Sequence, residues 1–181
     1  MALTNTRESW GGMSKFLHWT IVLLVIGQGI LGLTMGDLPR GGAVNPVLLH
    51  KSIGVTILLL VAFRLLWNRL ISRRPDHLPM PQWQRWIAAT GHFLLYALLF
   101  AVPLTGWLLS DYGGRGVQFF GLFDLPTLVG ADEAAHEAFE ERHETLFWVL
   151  VVVAVGHALA AVYHHLFLRD RTLLRMLPGR R

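Results

Sequence analysis

Four long apolar stretches, at about 15–35, 47–69, 84–109 and 141–168, decide what this chain can fold into. A helix of about 20 residues crosses a hydrocarbon core of about 30 Å, and each stretch reaches that length. In lipid every backbone N–H and C=O must find a partner within the protein, which leaves helices or closed barrels. Apolar runs of this length, without strand-like alternation, exclude the barrel. With 53% hydrophobic residues and a mean hydropathy of +0.45, the 181 residues read as one all-α integral membrane domain, a bundle of four transmembrane helices. The first 14 residues lack the basic region and small-residue cleavage site of a signal peptide, so the first stretch is expected to be a retained helix.

Charge gives the bundle a direction. The second connection carries Arg69, Arg73, Arg74 and Arg85 against Asp76, and the tail carries Arg169, Arg171, Arg175, Arg180 and Arg181 against Asp170. From Asp111 to Glu144 the balance reverses: eight acids against Arg115 and Arg142, a net −6. The positive-inside rule then puts both termini and the second connection in the cytoplasm. These arginines flank lipid-spanning segments, which argues against a nucleic-acid surface.

The apolar stretches carry histidines, which are costly in a membrane and mark function there. His18, His50, His143 and His157 lie in or at the edge of the stretches. The last two are 14 residues apart, about 40° short of four helical turns and about 21 Å of rise, so they share a face at two depths. The topology places His18 and His157 in an inner layer and His50 and His143 in an outer one. Neutral imidazole is an axial ligand for haem iron, and the two layers predict two stacked haems held between facing helices. A single zinc or copper site fails on distance, because the four histidines form two remote pairs. Cysteine is absent, which removes disulfides, iron–sulfur clusters and covalent haem attachment, so any haem must be held non-covalently.

The remaining histidines divide by position. His92 also falls in the inner layer and competes with His18 as the partner of His157. His164 follows His157 by seven residues on nearly the same face, nearer the cytoplasm, while His165 points elsewhere. His136 is expected to be a solvated surface residue of the acidic segment, and His77 a loop residue without a role. Arg64, in the inner half of the second stretch, and Lys51, beside His50, need counter-charges that haem propionates would supply. Lys51 equally suits a side chain reaching for the outer interface. Gly27, Gly29, Gly32, Gly54, Gly91 and Gly156 leave little side-chain bulk near the histidines, which suits a porphyrin plane or close helix packing. Pro103 is expected to kink the third helix. The segment 119–130 is apolar but too short to span and is expected along the outer interface.

The elements Phe16-Leu17-His18-Trp19, Leu49-His50-Lys51-Ser52, Thr90-Gly91-His92, His143-Glu144-Thr145 and Gly156-His157-Ala158 occur in this order. They are followed by the basic tail Asp170-Arg171-Thr172-Leu173-Leu174-Arg175-Met176-Leu177-Pro178. From about 14 to 178 the chain resembles the bacterial cytochrome b561 family, small four-helix di-haem quinone reductases. The resemblance implies that His18 rather than His92 pairs with His157 on the inner haem, and that His50 pairs with His143 on the outer one. It implies superoxide as electron donor at the outer face and ubiquinone as acceptor near the inner haem, in a pocket of His92, His164, Arg64 and Arg169. The related alternative is a cytochrome b subunit serving a periplasmic partner of hydrogenase or dehydrogenase type. One feature departs from the superoxide reading: an anionic donor is best drawn by a positive surface, yet the outer segment is acidic. Lys51, Arg40, Arg115 and Arg142 are the cations that would offset it.

Overall fold

The computed structural model describes residues 2–39, 45–76 and 78–178, so Arg40, His77, Arg180 and Arg181 lie outside the described residues. Its four long helices are α1 (Gly12–Thr34), α2 (Pro46–Leu66), α3 (Gln82–Tyr112) and α4 (Glu133–Leu166). All four are long and apolar enough to cross a membrane. Side chains such as Leu23, Ile26, Leu59, Phe93, Val152 and Leu159 point outward and are more than half exposed. That is the pattern of a bundle whose solvent is lipid, because apolar surface costs nothing against hydrocarbon.

The helix ends follow local chemistry. Asn45 caps α2, its side chain accepting from Val47 N and Leu48 N, and Pro46 takes the first turn, where its missing N–H is harmless. Asp132 caps α4 by accepting from Ala135 N at 3.0 Å. This cap starts α4 at Glu133, well before the expected 141, so most of the acidic side chains of that segment stand on helix rather than loop. At its other end α2 passes into a single π turn, Trp67–Ile71, in which Ser72 N donates to Trp67 O at 2.8 Å. α3 runs unbroken through Pro103.

α1 packs on α2, α2 on α3 and α3 on α4. The ring closes where Phe147 of α4 reaches Gly29 of α1: a Cβ there would lie 3.1 Å from the phenyl ring. Ile21, Ile57 and Val61 form the buried core, with Tyr96, Leu99 and Phe100 against it.

The bundle has two different ends. At the hairpin end, strands β1 (Gln118–Phe119) and β2 (Phe123–Asp124) pair antiparallel between α3 and α4. The segment 119–130 is thus folded onto the helices. Phe120 N donates to the buried Ser52 hydroxyl (2.8 Å), and Leu128 N donates to the buried Asp111 carboxylate (2.8 Å). At the tail end, the termini and the second connection are knitted together. Ser14 Oγ and Asn5 Nδ2 both donate to Asn68 Oδ1, at 2.8 and 3.2 Å. Lys15 Nζ donates to Leu177 O (2.9 Å), Trp19 Nε1 to Met176 O (3.0 Å) and Arg175 to the carbonyls of Asp76 and Arg7 (2.9 and 3.2 Å).

Candidate cofactor site

Two pairs of histidines face each other inside the bundle. His50 of α2 and His143 of α4 have ring centroids 6.3 Å apart at an interplanar angle of 81°, toward the hairpin end. His18 of α1 and His157 of α4 lie 6.4 Å apart at 79°, toward the tail end. A metal–imidazole bond is about 2 Å, and two such bonds plus the two half-rings span roughly 6 Å. Each pair therefore has the spacing of two imidazoles either side of one metal. His92 is also near His157, but at 5.3 Å the gap is too small for an ion between them. Among the described residues no group of three or more His, Asp or Glu converges as a metal-ion site.

Glycines set the pair at the hairpin end. A Cβ on Gly106 would lie 3.0 Å from His143 Cε1, and a Cβ on Gly32 the same distance from His50 Cε1. Only glycine lets the rings approach α3 and α1 so closely. His143 Nδ1 lies 3.0 Å from Val102 O and 3.3 Å from Thr105 Oγ1. A carbonyl only accepts, so Nδ1 carries the proton and Nε2 is left with its lone pair directed inward. His50 is held through its backbone, Gln28 Nε2 donating to its carbonyl at 2.7 Å. Its Nδ1 is buried with no hydrogen-bond partner among the described residues. Gly106 was not among the glycines singled out in the sequence. Its signal is the match of its position to His143 between antiparallel helices, which one chain's periodicity does not display. A Cβ at Gly27, Gly91 or Gly156 would meet nothing within 4 Å, so these positions are open rather than packed against a neighbouring helix.

The predicted cations occupy different surroundings. Lys51 Nζ donates to Ser110 Oγ (2.5 Å) and Gly116 O (2.8 Å), so two of its three N–H bonds tie α2 to the end of α3 and to the turn that leads into the hairpin. Arg64 donates from Nε to the Tyr96 hydroxyl at 3.3 Å and lies within electrostatic reach of His18 and His157. Its two terminal nitrogens suit an anionic group in the tail-end layer. His164 Nδ1 lies 2.5 Å from Asp170 Oδ2, and Asp170 also receives Thr172 N at 2.7 Å. Burial pushes the Asp170 carboxyl up, but hydrogen bonds from His164 and Thr172 outweigh it and hold the group below its ordinary value of 3.8. Arg169 turns the chain out of α4 with a left-handed φ of 52° and is exposed. His164 and Arg169 thus stand at the tail end, beyond the His18–His157 pair.

His136 corrects the expectation of a solvated surface residue. It is half-buried, with Nδ1 3.0 Å from Leu109 O and Nε2 3.1 Å from Arg115 Nη2. The extension of α4 beyond the predicted boundary brings it against the end of α3.

The arrangement fits b-type haem: paired imidazoles with metal-spanning separation, small residues beside them, an arginine in the tail-end layer and no cysteine. Comparison with known proteins points the same way. Residues 9–179 match the model of the prokaryotic cytochrome b561 family. "Cytochrome b561 homolog 2" of Escherichia coli (strain K12) is 39% identical over 98% of this chain and 95% of its own length. "Cytochrome b561 homolog 1" of the same organism is 30% identical over 92% and 95%, respectively. A Yersinia pestis protein named "Probable superoxide oxidase CybB" is 32% identical over 91% of this chain and 93% of its own length. A multi-pass helical bundle with imidazole pairs in its interior and these relatives over nearly its whole length, the chain belongs to the prokaryotic cytochrome b561 family of membrane electron-transfer proteins.

Proposed function

We propose that the protein carries two b haems and relays electrons across a bacterial inner membrane, from superoxide at the hairpin end to ubiquinone at the tail end. The observation that carries this reading is the two stacked histidine pairs, 6.3 and 6.4 Å between centroids, with one member of each on α4. His50 and His143 would hold the outer haem, and His18 and His157 the inner one. Each haem supplies a one-electron store whose potential the protein sets through the ligands and their hydrogen bonds.

The chain's own residues do the rest. Gly106 and Gly32 admit the outer imidazoles, and the Val102 carbonyl holds His143 in the tautomer that a metal requires. Arg64 neutralises negative charge in the inner layer, a role for which a propionate is the natural partner. Lys51 has one donor left for an outer propionate after its two bonds to Ser110 and Gly116. His92, His164 and Arg169 are the polar groups for the quinone pocket, where the His164–Asp170 pair can hold a proton near the cytoplasmic surface. The basic tail and second connection favour a cytoplasmic tail end with both termini inside. The Yersinia pestis relative's name supports superoxide as donor.

A specific observation favours a second reading. Glu133, Glu137, Glu140, Glu141 and Glu144 are all exposed on the first three turns of α4. That face suits a basic redox partner better than an anion, as expected of a cytochrome b subunit serving a periplasmic hydrogenase or dehydrogenase. On the superoxide reading, Arg115 and Arg142 would have to form a positive mouth within this rim, yet Arg115 is engaged by His136 and Arg142 sits 5.0 Å over the Phe139 ring.

A haem assay and reduced-minus-oxidised spectrum of the pure protein should give two b haems per chain; one or none sinks the scaffold. Under a superoxide flux, ubiquinone should be reduced in step with superoxide loss and without the peroxide of dismutation. Haem that stays oxidised under that flux overturns superoxide as donor, and a co-purifying polypeptide then supports the subunit reading.

A further inference from the structure

Helices α3 and α4 run antiparallel, and a seven-residue step along one matches a seven-residue step along the other. Gly113 faces His136 and Gly106 faces His143, a Cβ on either glycine lying 3.0 Å from the Cε1 of its histidine. In both, the imidazole Nδ1 is 3.0 Å from the carbonyl four residues before the glycine, Leu109 or Val102. The seat is thus built twice from the same parts: a glycine that admits the ring and a carbonyl that takes its proton. Leu99 and Leu150 occupy the next step of the register, and the step after that brings position 92 to His157.

There the seat is built differently. His92 stands in the glycine's place, with its ring 5.3 Å from that of His157. Ala88, four residues earlier, supplies the carbonyl that corresponds to Val102 and Leu109. It lies 2.7 Å from His92's own Nδ1. Because a carbonyl only accepts, His92 carries its proton on Nδ1 and presents Nε2 as a lone pair. If His157 binds iron through Nε2, its Nδ1 carries a proton in need of an acceptor. An N–H···N bond of about 3 Å plus two half-rings gives a centroid spacing of roughly 5 Å. The observed 5.3 Å, at an interplanar angle of 72°, puts the two rings within reach of such a bond without the bond being formed, and the 6.4 Å to His18 leaves the span of a metal.

We propose that His92 is the positioning residue of the inner axial ligand, its Nε2 accepting the Nδ1–H of His157 and its Nδ1 anchored on Ala88. It does with a side chain what the Val102 carbonyl does for His143. The inference rests on the reading of His157 as an axial ligand. A hydrogen bond from the far nitrogen fixes the ring's orientation and raises its basicity, which favours ferric iron and lowers the reduction potential.

Redox titration of the purified haem-loaded protein, followed in the b-haem absorption bands, should resolve two midpoints. The inner one is the midpoint that survives in His143→Ala. His92→Phe and His92→Leu remove the acceptor and should raise the inner midpoint by a tenfold change in the ferric-to-ferrous ratio, 59 mV for one electron. The outer midpoint and the haem count should not move. His92→Gln keeps an acceptor oxygen and should stay near the wild-type value. An unmoved inner midpoint in both acceptor-free variants overturns the proposal, as does a Gln shift as large as theirs. Loss of a haem from all three variants overturns it too, because His92 would then be a ligand. If His157→Ala keeps both haems, it is the ligand assignment that fails instead.

Discussion

The two histidine layers present the same pair of imidazoles in different settings. At the hairpin end the His143 ring is held by backbone, the open side of Gly106 and the Val102 carbonyl. At the tail end the glycine's place on α3 is filled by His92, and Arg64 and Tyr96 bring further polar side chains to the layer. A backbone seat is rigid and chemically plain, because a carbonyl can accept a hydrogen bond but neither donates one nor titrates. A side-chain seat can donate, accept and change partner. On the proposed function the tail-end layer serves a two-electron, two-proton acceptor and gains from that versatility, whereas a layer that receives single electrons does not need it. The contrast therefore agrees with a quinone at the tail end.

The largest expected effect separates the layers outright. His143→Ala should remove the outer haem and His157→Ala the inner one, each leaving about half of the b-type absorbance, measured by haem extraction and difference spectrum. Retention of both haems in either variant would erase the distinction between layers. It would also remove the meaning of the 14-residue spacing.

Gly106→Ala tests the backbone seat next. Its Cβ would meet His143 Cε1 at 3.0 Å, between a helix backbone and a ring already bonded to Val102, so the ring must move. Outer-haem affinity should fall 10- to 100-fold, the range typical of changes behind a metal ligand. Gly113→Ala makes the same 3.0 Å clash against His136. There the expected result is a thermal destabilisation of about 1–3 kcal/mol with both haems retained. Equal haem loss from both variants would show that the glycines act through overall helix packing instead.

How much of this could be read in the sequence depends on which relation carries it. Apolar length announced the four spans, and the 14-residue interval between His143 and His157 announced two layers on one helix. Both are relations within a single helix. The seats are relations between helices. Positions 106 and 143, 113 and 136, 92 and 157 are linked by an antiparallel register that no periodicity of α3 or α4 alone contains. The same blindness misplaced His136, which looked like a loop residue because charge hid the start of α4. Asp132 was the missed signal there, an N-cap directly before a run of good helix formers. Lys51 was read for charge alone, whereas the ends of Ser110 and Gly116 that it binds depend on how the hairpin folds back.

The smallest expected effect lies at the tail end, in the strap that leaves α4. His164 and Thr172 both donate to Asp170, and their hydrogen bonds hold its carboxyl below 3.8 despite partial burial. A carboxyl whose folded pKa is depressed stabilises the folded form fully above its unfolded value and loses that contribution as pH falls through the folded one. The contribution of the Asp170 carboxylate to the strap should therefore be complete down to about pH 4 and be lost only below it. Hydrogen exchange at the Thr172 amide, corrected for its intrinsic pH dependence, should show protection lost in that acid window. Asp170→Asn keeps the shape and an acceptor oxygen but loses the charge, so it should show weaker protection at neutral pH and no acid step. At the hairpin end the strands and the turn leading into them are joined to α2 by Ser52 and Lys51 through hydroxyl, ammonium and carbonyl groups, and the Asp111 carboxylate holds only the stretch beyond them, at Leu128. Amides in β1 and β2 should stay protected across the same pH range. Loss of their protection in step with Thr172 would mean that the two ends of the bundle unfold together, not that one strap titrates.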